Sequence, residues 1–157
     1  MASDDLQSYF RSQQVPLQWL QVLRAMAMEL SDTVEPADLR QLFFKIGLRF
    51  ANDVEELFQD VKTLKGLESG LNDFWLRINW GWVELVEVKG GIDIRHSAAP
   101  LAEAFGDESL AWSSGLLEGF YQNVFELLDT SRNMSVSLVG DSVDAMEIHF
   151  RYGRKIN

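Results

Sequence analysis

Apolar positions along this chain follow a helical period through its first half and switch to an alternating, strand-like period near residue 82. The first fifteen residues are mainly polar and close at Val15-Pro16, where proline can open a helix at its first position. Trp19, Leu23, Met26 and Leu30 then recur at helical spacing. Pro36 opens a second helix, with Asp38 in its positive first turn. Its stripe of Leu39, Leu42, Phe43, Ile46 and Phe50 runs almost in phase into Val54, Leu57, Phe58, Val61 and Leu64. The pattern predicts either one long helix or two broken near Asn52-Asp53; Asp53 with Glu56 resembles a capping box and favours the break. Gly66 reads as a C-terminal stop, and a short helix around Leu71, Phe74 and Trp75 follows.

The segments 82–88 and 92–96 flank Lys89-Gly90-Gly91 and read as a hairpin. A two-residue Gly90-Gly91 loop sets Glu87 opposite Ile94 and mixes charge into the apolar face. A three-residue loop sets Val88 against Ile92, Val86 against Ile94 and Glu84 against His96, leaving Glu87 facing Asp93; apolar burial favours this register. Pro100 opens a short helix ending at Phe105. Residues 109–128 form the main second-half helix, with apolar residues on two faces. Gly115 and Gly119 on it allow close helix packing. Segments 134–139 and 146–152 make a second hairpin across Gly140-Asp141-Ser142. The expected fold is α+β: N-terminal helices, a four-stranded antiparallel sheet of two hairpins, and a long helix between the hairpins. One domain spans residues 1–157, with 1–15 as an N-terminal arm.

Composition narrows the function classes. The chain lacks cysteine, which excludes disulfides, thiolate metal sites and cysteine nucleophiles. No apolar run reaches the ~20 residues that cross a bilayer, and the start lacks the pattern of a secretory signal, so a cytoplasmic protein without membrane insertion is expected. A net charge of −10 repels nucleic acid and anionic membranes. Neutral ligands or protein partners fit better.

Catalytic chemistry is sparse. His96 and His149 lie on expected strands without metal-ligand spacing, so neither a metal nor a cofactor is expected, and Glu84 with His96 reads as a cross-strand surface ion pair. Neither a nucleophile elbow nor a phosphate-binding loop is present in the sequence. Of the five tryptophans, most are expected in the core. Trp80 and Trp82, two indoles around Gly81 where helix gives way to strand, are the candidates for contacts between copies of the chain.

The segment Ile78-Asn79-Trp80-Gly81-Trp82-Val83 resembles the I-N-W-G-aromatic-V motif of the D-subunit family of bacterial cellulose synthase. Leu117-Glu118-Gly119-Phe120-Tyr121 is similar to the same family's L-E-G-x-Y segment, and weaker similarity runs through residues 23–32, 38–51 and the closing hairpin. The resemblance implies a non-catalytic accessory protein that forms a homo-octamer of dimers. It would guide or organise nascent β-1,4-glucan chains for export, beside the inner-membrane synthase complex and a proline-rich accessory protein. The family's N-terminal segment lines the glucan passageways. Residues 1–15 carry no convincing match to it here, so Ser3, Asp4, Asp5 and Tyr9 are glucan-binding candidates by position only. A second resemblance competes: the Gly-Trp strand entry, the two-glycine turn and Ser97-Ala98-Ala99-Pro100-Leu101-Ala102-Glu103-Ala104 are similar to vinyl-reductase-type ligand-sensing domains.

Overall fold

The computed structural model describes residues 2–129, 133–140 and 144–155. The elements are α1 (Ala2–Ser12), α2 (Leu17–Thr33), α3 (Pro36–Asp53), a 3-10 turn (Glu55–Phe58) and α4 (Leu64–Arg77). Then come β1 (Trp82–Val88), β2 (Gly91–Ser97), α5 (Leu101–Phe105), a second 3-10 turn (Asp107–Ser109) and α6 (Leu110–Ser113), followed by α7 (Gly115–Leu128), β3 (Met134–Leu138) and β4 (Glu147–Arg154). The fold is α+β as expected, with helices on one face of an antiparallel four-stranded sheet of order β1-β2-β4-β3. Of the turn expected at Gly140-Asp141-Ser142, the last two residues lie outside the described residues.

The break near Asn52-Asp53 is present: α3 ends at Asp53, and Val54 leaves the helical region at φ −120°, ψ 8°. No capping box forms, because no side chain caps the Glu55 turn. The second apolar stripe is not a helix either. Phe58 reaches the core from the 3-10 turn and is fully buried. Gly66, expected as a helix stop, lies in the first turn of α4, where its N–H donates to Thr63 Oγ1 at 3.0 Å. The threonine N-cap decides that start, and the expected short helix becomes one of 14 residues.

The first hairpin corrects the expected register. Val83 pairs with His96, Leu85 with Ile94 and Val86 with Asp93, across a two-residue Lys89-Gly90 turn in which Gly90 takes φ +83°. Val83, Leu85, Ile94 and His96 therefore face the helices, while Glu84, Val86 and Val88 face outward. The expected register puts Val86 and Val88 on the core face, against Ile94 and Ile92, in order to keep Glu87 off it. The turn sets the pairing, and Val83 and Leu85 lie directly opposite core positions. Glu84 thus stands opposite Arg95 on the outer face rather than beside His96. Asp93 faces Arg151, not Glu87: Arg151 Nε donates to Asp93 Oδ1 at 2.6 Å, and His149 lies 3.3 Å away. The Arg151 bond, against the effect of burial, holds the Asp93 carboxyl below its ordinary range.

The expected helix over 109–128 divides into the second 3-10 turn, α6 and α7, joined through Ser114. It is buried on two faces as expected, and its glycines permit the contact with α3. A Cβ on Gly119 would stand 2.0 Å from the Phe44 carbonyl oxygen, and one on Gly115 2.6 Å from that of Arg40. Gly47 on α3 answers them, with the Leu116 carbonyl 1.9 Å from where its Cβ would be. Arg40 then locks the pair, donating to Ser114 Oγ and Ala111 O and bridging to Glu118.

Helix side chains cover part of each sheet edge. On β1, Val83 N–H donates to Asn72 Oδ1 and Asn72 Nδ2 donates back to Val83 O, while Leu85 N–H donates to Glu68 Oε2. Glu68 and Asn72 are four apart on α4 and so share a face. On β3, Val136 N–H donates to Gln122 Oε1. Capped edges cannot readily template another strand.

Candidate functional site at the helix to strand junction

After α4 the chain must reverse within four residues to enter β1, and it does so through left-handed backbone at Asn79 (φ 60°) and Gly81 (φ 75°). Gly81 is also pressed against β2: a Cβ there would lie 1.8 Å from the Ser97 carbonyl oxygen, so position 81 accepts only glycine. Directly opposite, Ala98 takes φ 59°. Two non-glycine residues in this region mark stored strain.

Trp80 is fixed from both ends. Its N–H donates to the Trp75 carbonyl at 2.8 Å, and its ring stacks on fully buried Trp75 with centroids 5.6 Å apart. Its carbonyl accepts from His96 Nε2 at 2.7 Å. Because a carbonyl can only accept, Nε2 carries the proton; Nδ1 then accepts from the Tyr121 hydroxyl at 2.6 Å. Burial pushes His96 down to about 4, against the Trp80 bond, and holds the Tyr121 phenol well above its ordinary value. His96 is a neutral strut of the junction rather than half of a surface ion pair.

Trp82 leaves half its surface exposed and forms one wall of a cavity of about 370 Å³ between the junction and α1. From α1 and the turn after it come Gln7, Phe10, Arg11 and Gln14, at the i, i+3, i+4, i+7 spacing of one face. Gln14 reaches across the junction, donating to Ala98 O at 2.6 Å and to Asn79 O at 3.4 Å. Arg11 is neutralised by Glu103 at 2.8 Å and Asp107 at 3.2 Å. Gln7, Gln13, Gln14 and Asn79 bring side-chain amides to an otherwise mainly apolar lining, and no carboxylate lines it. An indole face beside amides suits a neutral hydroxylated ring, which stacks through its C–H face and bonds through its hydroxyls. Nothing in that lining pairs a nucleophile with a base.

The positional candidates fall differently. Ser3, Asp4, Asp5 and Tyr9 are all exposed on α1. Ser3 precedes Gln7 by one turn on the cavity face, whereas Asp5 and Tyr9 belong to the opposite face by helical spacing, so the four do not converge. Of the paired indoles, Trp80 stacks into the core and Trp82 remains half open. Gln7, Gln14 and Asn79 escaped sequence reading; the seven-residue spacing of the two glutamines, two helical turns, was the available signal. Among the described residues, no group of three or more acidic or histidine side chains is arranged to hold a metal ion, and no helix is long and apolar enough to cross a membrane.

Sheet, partly covered edges and packed helices together define a helix-on-sheet domain with a carboxylate-free cavity at its junction. The chain belongs to the D-subunit family of cellulose synthase, whose model matches residues 5–153, and its role lies in cellulose synthesis. No curated protein matches the chain.

Proposed function

We propose that this chain is a non-catalytic accessory protein that joins the cellulose synthase complex and guides or organises nascent β-1,4-glucan, with sugar rings contacting the junction cavity. The family match over nearly the whole chain carries the reading. The cavity supports it, offering an exposed indole and neutral amides without the paired carboxylates that glycoside hydrolysis needs. Assembly into a homo-oligomer, up to the octamer the resemblance implies, belongs to the same reading. Exposed Trp19, Val22 and Met26 support it, since their spacing gathers them into one apolar face of α2. A cytoplasmic position beside the membrane-embedded synthase and its proline-rich partner is part of the same proposal.

Incubation of the purified chain with cellohexaose tests this. Saturable binding with no release of reducing ends is the expected result. Hydrolysis would contradict the accessory role, and failure to bind at millimolar sugar would remove the cavity from it.

A further inference from the structure

Helix α1 lies over the junction cavity, yet buries none of its own residues. Leu6, Tyr9 and Phe10 expose 57%, 59% and 64% of their surface. What holds α1 down is polar and confined to its end: Arg11 to Glu103 and Asp107, and Gln14 in the following turn to the Ala98 and Asn79 carbonyls. The hydrophobic anchor begins only after these, at Val15, which is 8% exposed. Between α1 and α2, residues 13–16 form a non-helical turn ending in Pro16. An element with few apolar contacts and solvent-reachable bonds opens at low free energy. Eleven residues are also too few to hold a stable helix alone.

We propose that α1 is a hinged cover on the junction cavity, lifting about residues 13–16, and that a glucan ring enters when it lifts. The inference rests on the cavity being the sugar contact and adds how access to it is controlled. With α1 raised, the half-exposed Trp82 face and the exposed Leu76 beside it become an open platform. Closing returns Gln7 and Gln14 over whatever is stacked there. Arg11 is the latch: its ion pairs are partly solvent-exposed, so salt weakens them.

Amide hydrogen exchange on the unmodified chain without sugar tests the cover directly. The α1 amides are expected to exchange at least 100-fold faster than those of α7, and faster still in about 1 M salt, where screening falls to about 3 Å. Equal protection of α1 and α7 would overturn the cover. The second arm uses the absence of native cysteine. Arg11→Cys with Glu103→Cys, joined by a short bismaleimide, fastens α1 down. The fastened chain is expected to take up cellohexaose at least tenfold more slowly than the unjoined double variant. Equal uptake would overturn the gate, and linkage between chains instead of within one would show that α1 covers a neighbour's cavity, overturning the hinge. Fast α1 exchange with no cellohexaose binding by either form would contradict the gate and also remove the sugar reading, whereas binding with a fully protected α1 would remove the cover alone.

Discussion

At the level of single residues, the two indoles around Gly81 have different duties. Trp80 is stacked on Trp75 and tied to His96, so Trp80→Ala should cost about 3 kcal/mol in urea unfolding, the range of large-to-small core changes. Trp82→Ala should cost less than about 1 kcal/mol, since half of that side chain is already in water. Equal losses would show that both are core residues. His96 gives a pH prediction with a definite sign. Its folded value is depressed to about 4 from the ordinary 6.5, so between those values the unfolded chain binds more protons. Stability is therefore complete above pH 6.5 and falls towards pH 4, by about 3 kcal/mol over the window. Urea midpoints measured at steps across that range check it, and a flat profile would mean that His96 titrates normally. Tyr121→Phe should leave Nδ1 without its donor and cost about 1–3 kcal/mol.

Among the elements, the α3–α7 contact and the capped sheet edges carry the specificity of the fold. Gly119→Ala pushes a methyl group into the Phe44 carbonyl and should destabilise by about 1–3 kcal/mol or more, measured by thermal unfolding. Asn72→Ala uncovers both backbone groups of Val83 and should promote aggregation at the β1 edge, read by light scattering, more than an exposed α2 change such as Gln21→Ala. The sequence made much of this legible. Alternation along 146–152 marked β4, proline marked the openings of α2, α3 and α5, and Gly115 with Gly119 marked a close helix contact. Hairpin register was not legible, because the pattern around 83–88 puts apolar side chains on both faces and the turn at Lys89-Gly90 settles the pairing. The Gly66 expectation failed for a related reason: glycine after lysine looks like a helix end, but Thr63 three residues earlier is a stronger signal of a helix start. The cavity needed three dimensions, since Gln7, Asn79, Ala98 and Met146 are distant in sequence.

For the whole molecule, a net charge of −10, partly covered sheet edges and apolar side chains exposed on α2 are consistent with the proposed scaffold, which would meet its partners through helices and handle a neutral polymer. Replacing Trp19 and Met26 by glutamate should lower the solution mass of any oligomer measured by light scattering while leaving the unfolding free energy of the chain within about 1 kcal/mol of the parent. An unchanged mass would place assembly elsewhere. Glucan is proposed to enter the junction cavity and not to bind the outer face of α1. Isothermal titration of cellohexaose into the parent chain, Trp82→Ala and Tyr9→Ala separates the two surfaces. At least a tenfold loss of affinity is expected for Trp82→Ala, within the ~1–3 kcal/mol of a ring stack, with parent-like affinity for Tyr9→Ala. Undiminished binding by Trp82→Ala, with loss in Tyr9→Ala, would contradict the proposal.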